Sequence, residues 1–321
     1  MTVGLARVQA HTKPWGVADL RPWSMVPHPG STIGELSYER PTSDPSTSAL
    51  LLKLLFTSQP LSIQVHPDDA YAATLGLPNG KTEAWCVLSA APGAKVALGL
   101  NTQLSQQQLR EAIDNGSIAD MVAWQPVSAD DVLFVPAGTI HAIGAGLVIA
   151  EIQQRSDITF RLFDYGRKRS LHIDQAVAVA RTAPADFQAK PNRLTDERTL
   201  LLSNAHFVFE RIELAPGSTW WLDADRETWL LVVSGSAIAA SFVVSCGDAI
   251  VAQSDRIGIR VGSLGMTGLV TYTGVGIVPQ LLQSVRQSDP KRAVQQSKVL
   301  PTFHGSPASV ISTQSGSVPR P

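Results

Sequence analysis

Gln64, His66, Glu83 and His141 are the residues of this 321-residue sequence whose types and spacing suit metal chemistry. Gln64 and His66 stand two apart in SIQVHPDD. Alternate side chains of a strand share a face, so both can enter one cavity before Pro67 ends the strand. Glu83 lies in TEAWCVL, a carboxylate among apolar neighbours, and His141 follows PAGTI, a tight turn that brings a distant strand back. Two imidazoles, one carboxylate and one amide oxygen, with no thiolate, suit zinc, manganese, iron or cobalt. Such a set leaves positions open for water or substrate, as a catalytic site requires. Each residue alone has an ordinary reading: a satisfied core histidine, a Glu83 paired with Lys81 or Lys53, a His141 that caps a turn. Four together, each at a strand end beside a turn, are harder to explain that way.

The elements that must position these residues are short strands. LLLKLLF, LSIQVH, TEAWCVL and AKVALGL have strand lengths and are bounded by SQP, PDD, PNG and APG. In TQLSQQQLREAIDNGS, the Ser105 start signal and Leu104, Leu109 and Ile113 predict a short amphipathic helix ended by Asn115-Gly116. Strands resume at DVLFVPAGTIHAIGAGLVIAEIQQ, where PAGTIH has the PxGxxH form of the second metal motif of cupin barrels. The reading is a mainly β protein, two cupin-like jelly-roll β-barrel domains with a few short helices. Residues 1–181 form the metal-binding catalytic domain, 182–200 a polar linker, and 201–282 a second cupin-like domain; 283–321 read as a disordered tail. The two β regions read as diverged copies. Ten residues after Asp131 stands His141, but ten after Asp248 stands Gly258, so the second copy lacks the ligand.

Composition removes several functions. A net charge of −1 provides no global field for nucleic acid or an anionic membrane, so any anion must be met by local cations. The most apolar window, SALLLKLLF, is too short to span a bilayer and holds Lys53. Two distant cysteines, Cys86 and Cys246, exclude a disulfide scaffold and a thiolate zinc cluster, and fit a reducing cytoplasm. Monomer and small homo-oligomer remain equally open.

LLFTSQPLSIQVHPDD, GKTEAW, FVPAGTIHAIGAG and EIQQRSDITFRLFDYGR together resemble class I mannose-6-phosphate isomerases in their short bacterial form, from about residue 14 to 175. The resemblance implies one zinc ion per chain on Gln64, His66, Glu83 and His141, and a small sugar phosphate as substrate. It places the family's active-site arginine on Arg161, cavity carboxylates on Glu151 and Asp157, and polar site positions on Lys53, Ser62 and Lys81. Arg167 takes the place of a basic residue that meets phosphate. Two departures stand out: Ile143 replaces a tyrosine of the larger enzymes, and the chain has no room for their inserted helical domain.

These residues suit aldose–ketose isomerisation, in which a proton leaves the carbon beside a carbonyl and returns to its neighbour through an enediol. Arg161 and a metal ion stabilise the negative oxygen; Arg161, Arg167, Lys53 and Lys81 are cations for a phosphate. Glu151, Asp157, Lys81 and a water held by the metal all qualify as the base by type. Two other readings remain at this level: isomerisation of a different, unphosphorylated hexose, and an iron-dependent cupin oxygenase, against which a Gln ligand beside His66 argues.

Overall fold

Turn residues cut the chain into strands that pair antiparallel throughout. The computed structural model describes residues 3–25, 30–41, 48–184 and 189–285. From residue 286 on, the segment read as a tail lies outside the described residues. β1 (Val3–Leu5), β2 (Arg7–Val17), β3 (Ile33–Glu39), β4 (Leu50–Thr57) and β5 (Ile63–Val65) precede helix α1 (Asp69–Thr74). β6 (Glu83–Ala90) and β7 (Lys95–Leu100) lead to α2 (Gln106–Asp114) and α3 (Ile118–Met121). β8 (Val122–Pro126), β9 (Val132–Val135), β10 (His141–Ile143), β11 (Leu147–Gln154) and β12 (Phe160–Phe163) follow, then α4 (Ile173–Val179). The second β region holds β13 (Asn192–Arg193), β14 (Arg198–Ser203), β15 (Phe207–Leu214), β16 (Thr219–Ala224) and β17 (Thr228–Ala239). It ends with β18 (Phe242–Ser245), β19 (Ala249–Ala252), β20 (Asp255–Thr273) and β21 (Leu282–Ser284). Among the described residues no helix is long and apolar enough to cross a membrane.

The first region has two walls, a six-stranded sheet ordered β2-β3-β4-β11-β6-β9 and a five-stranded sheet ordered β12-β5-β10-β7-β8. The second region is one ten-stranded sheet. β1 belongs to it, pairing Val3–Leu5 with β19, so the chain starts in the second region before building the first. The segment 182–200 contributes β13 and the start of β14 to the same sheet.

β4 is buried at every position. Leu52, Leu54 and Phe56 meet Phe207, Phe209 and Trp229 of the ten-stranded sheet, while Lys53 and Leu55 point the other way. The second region thus covers what would otherwise be the solvent face of an antiparallel sheet, and the strand reads as a continuous apolar run for that reason. The helix expected near 104–115 forms as α2: Ser105 and Gln108 close a capping box, and Gly116 follows with φ +80°. Leu109, Ala112 and Ile113 of α2 join Ala176 and Val177 of α4 over the outer face of the five-stranded sheet.

The likeness between the two regions is visible in their turns. Asp131 Oδ2 accepts from Ser128 N at 2.7 Å and Asp248 Oδ2 from Ser245 N at 2.9 Å. Val87 N donates to Asp131 O and Val232 N to Asp248 O, each at 2.9 Å. Glu-x-Trp also recurs, the Trp85 indole donating to Glu83 at 3.1 Å and the Trp229 indole to Glu227 at 2.8 Å. The register differs. Glu83 lies opposite Val135, whereas the residue opposite the matching Ala252 is Thr228. Glu227 and Trp229 therefore face outward, where Glu227 accepts from the Ser48 hydroxyl and from Ala49 N and Leu50 N at 2.7 and 3.2 Å. The second interior is filled with Leu230, Val232, Ile257 and Ile259, and Gly258 pairs with Trp221.

Candidate metal centre

Two rows of directly opposed residues bring the chemistry together. Across the five-stranded sheet, Arg161 of β12 stands opposite Gln64 of β5, which stands opposite His141 of β10. Across the six-stranded sheet the row is Ser37, Lys53, Glu151 and Trp85, with Glu83 two residues along β6. Opposed residues share a face, so each row turns inward as a block. His66 lies just past β5, held by Gly138 N donating to its carbonyl at 2.8 Å. Gly80 lets the next loop approach: a Cβ there would stand 2.4 Å from the Asp68 carbonyl carbon. That approach carries Lys81, whose N–H donates to Pro67 O at 2.9 Å, up to His66.

His66, Glu83 and His141 are almost wholly buried, and their ligand atoms lie within 4.8 Å of one another. Backbone carbonyls fix both imidazoles. Nδ1 of His66 donates to Ile158 O at 2.7 Å and Nδ1 of His141 to Thr139 O at 2.9 Å, so each Nε2 lone pair faces the cavity. Glu83 Oε2 lies 3.6 Å from His66 Nε2, and Oε1 lies 3.5 Å from His141 Nε2. Burial pushes the His66 pKa well down, helped by the Lys81 charge, and burial pushes His141 down to about 4. Both rings are thus neutral, the form that binds a metal ion.

The fit to a cation rests on Glu83 Oε2, a buried oxygen that accepts no hydrogen bond. The Lys81 ammonium already brings a positive charge there, 3.0 Å from this oxygen and 3.2 Å from His66 Nε2. Gln64 places its Nε2 3.2 Å from His141 Nε2 and its Oε1 3.0 Å from the Ser62 hydroxyl, which donates to it. Offering Oε1 to the same ion takes a half-turn of the amide. Ser62 tolerates that turn because a hydroxyl accepts as well as donates.

A cavity of about 390 Å³ opens above this floor, with Gln64, Lys81, Glu151, Lys53, Asp157 and Arg161 in its wall. Lys53 bridges Glu35 at 3.5 Å and Asp157 at 3.2 Å. Burial opposes the charge on Glu35, but Lys53, Lys13 and His11 outweigh it and lower its pKa; Lys53 does the same for Asp157. Glu151 differs. Burial first, then the nearby Glu83 charge, push its pKa up to about 7, and the Trp85 indole donates to it at 3.2 Å.

Two of the expected substrate contacts lie elsewhere. Ser62 is buried under Gln64 and is not part of the cavity wall. Arg167 turns away, donating to Pro60 O at 2.8 Å, Gln59 Oε1 at 3.2 Å and Asp164 at 3.3 Å. The wall has Arg169 and His172 instead, with His11, Lys13 and Trp15 of β2 and Glu35 of β3. The sequence reading missed these six. The signal for β2 was the alternation in HTKPW, whose second and fourth residues are exposed while His11, Lys13 and Trp15 face in. Arg169 stood two residues from the arginine chosen, in GRKR.

No protein-family profile matches the chain. It is 35% identical over 246 residues to the mannose-6-phosphate isomerase of Streptococcus mutans serotype c, covering 64% of this chain and 77% of that protein. It is 38% identical over 137 residues to mannose-6-phosphate isomerase ManA of Bacillus subtilis, covering 40% and 43%. The fold is similar to that of the mannose 6-phosphate isomerase crystal structure from Bacillus subtilis, with a TM-score of 0.73 at 22% identity over 85% of this chain and 100% of that one. A phosphomannose isomerase variant from Salmonella typhimurium superposes with a TM-score of 0.67 at 15% identity, over 86% and 100%.

Proposed function

The chain belongs to the mannose-6-phosphate isomerase family, and on that premise we propose that it interconverts mannose 6-phosphate and fructose 6-phosphate on one zinc ion held by Gln64, His66, Glu83 and His141. The observation that carries the metal reading is the buried convergence of the Glu83 carboxylate, within 4.8 Å, with two imidazoles whose other nitrogens are committed to carbonyls. Neutral nitrogen and carboxylate ligands without sulfur suit zinc in an open, catalytic site. When bound, the ion supplies positive charge for the oxygen that becomes negative in the enediol.

The chain's own residues do the rest. Glu151 takes the proton from one carbon and returns it to the next. Its support is a buried place in the cavity wall and a pKa raised to about 7, so that both protonation states are available at neutral pH. Asp157 is largely exposed and lowered by Lys53, which suits holding that lysine rather than moving a proton. Arg161, opposite Gln64, carries a fixed positive charge toward the substrate oxygens. Lys81 lies between Glu83 and Glu151, 3.0 and 4.0 Å away, and supplies a donor on the same side. We place the enzyme in the cytoplasm, since both cysteines are free thiols.

The test is conversion of mannose 6-phosphate to fructose 6-phosphate, with and without chelator. Activity is expected, lost on chelation and restored by zinc. Chelator-resistant turnover would remove the metal from the mechanism, and absence of turnover would remove the reaction.

A further inference from the structure

One end of the cavity carries positive charge that its own wall leaves unbalanced. Elsewhere the lysines meet carboxylates: Lys13 and Lys53 lie 3.6 and 3.5 Å from Glu35, Lys53 lies 3.2 Å from Asp157, and Lys81 lies 4.0 Å from Glu151. At the β12 end, Arg161, Arg167 and Arg169 have a single carboxylate among them, the buried Asp164, which pairs with Arg167 and Arg169. Arg161 has no carboxylate partner among the described residues; its Nε is buried without an acceptor, and Nη1 reaches Ser170 O at 3.4 Å. Arg167 turns away from the cavity, so the two guanidiniums in its wall, Arg161 and Arg169, have only that one carboxylate beside them, and in a pocket large enough for a sugar they make an anion site.

Within that end, Arg169 is the group best prepared to meet an anion. Its Nε and Nη2 donate to Asp164 at 2.7 and 2.6 Å, and its guanidinium lies 5.1 Å from the Trp15 ring centroid. Held on two sides, it keeps Nη1 uncommitted in the wall, so little side-chain freedom is lost when an oxyanion arrives. His172 adds a neutral donor: its Nδ1 accepts from Arg161 N at 3.1 Å, which puts the ring proton on Nε2. We propose that Arg169, with His172 Nε2–H as second donor, recognises the phosphate of the sugar phosphate, in place of Arg167. This rests on the isomerase reading above.

Arg169→Met and Arg169→Lys test it in the zinc-loaded protein. For Arg169→Met the loss should fall on KM for mannose 6-phosphate, rising about 10- to 100-fold as expected for one charge-assisted contact, more than on kcat. Arg169→Lys should recover part of it. Calorimetric titration with inorganic phosphate supplies a readout independent of turnover: wild type binds, and Arg169→Met binds at least about tenfold more weakly. Equal phosphate binding by the two proteins overturns the assignment, as does a larger KM increase in Arg167→Ala than in Arg169→Met. Phosphate binding that depends on Arg169, in a protein that does not isomerise mannose 6-phosphate, would keep this site and sink the isomerase reading. Isomerisation with an unchanged KM in Arg169→Met would do the reverse.

Discussion

At the residue scale, the candidate metal centre is a set of buried groups that neighbouring atoms hold in place. Each imidazole has one nitrogen tied to a carbonyl and Glu83 has one oxygen tied to Trp85, while the remaining ligand atoms converge within 4.8 Å beside Lys81 and Gln64. His141→Ala should therefore lower bound metal and isomerase activity together, read by metal analysis and turnover on the same preparation; full activity in that variant would remove this centre. Glu35 allows a test of pH. Its folded pKa is lowered below the ordinary 4.5, so its charge stabilises the fold above that pH and the contribution disappears as pH falls through the folded value. The stability gap between wild type and Glu35→Gln, measured by denaturant unfolding, should be widest above the ordinary 4.5 and shrink as the pH is lowered below it. A gap that widened on acidification would show that Lys53 is not held this way.

At the element scale, what decides position is where backbones come close. Gly247, between β18 and β19, has φ +90°, and a Cβ there would stand 1.9 Å from Trp23 O. Gly247→Ala combines a left-handed conformation with that collision and should cost at least about 2 kcal/mol, seen as a lower midpoint in thermal or denaturant unfolding. A neutral effect would mean that the 20–25 segment does not pack on this turn. The strands of the candidate ligands were legible because period-two spacing needs only local sequence, as with Gln64 and His66, and the Ser105 start signal of α2 is equally local. The cavity's other side was not. Lys13 and Trp15 reach the site only because β2 pairs with β3 and β3 with β4, and pairing partners far apart in sequence leave no local mark. Arg167 and Arg169 both lie in a loop, where no periodicity says which one turns inward.

At the scale of the whole molecule, the described residues cohere through one apolar layer shared by the six-stranded and ten-stranded sheets. Glu227 fastens its edge. It takes hydrogen bonds from Ser48, Ala49, Leu50 and Trp229, and lies 3.7 Å from Arg40. Glu227→Ala would leave several buried donors unsatisfied, and a loss of about 3 kcal/mol or more in a single unfolding transition is expected. Two separated transitions, or a loss below about 1 kcal/mol, would show that the sheets unfold independently of this contact. The same Glu-x-Trp pair lines the candidate metal site at Glu83 and Trp85. Because side chains alternate, a slip of one position in a strand exchanges inside for outside. For this chain, the difference between a carboxylate turned inward beside two imidazoles and one that ties two sheets together is a single residue of length.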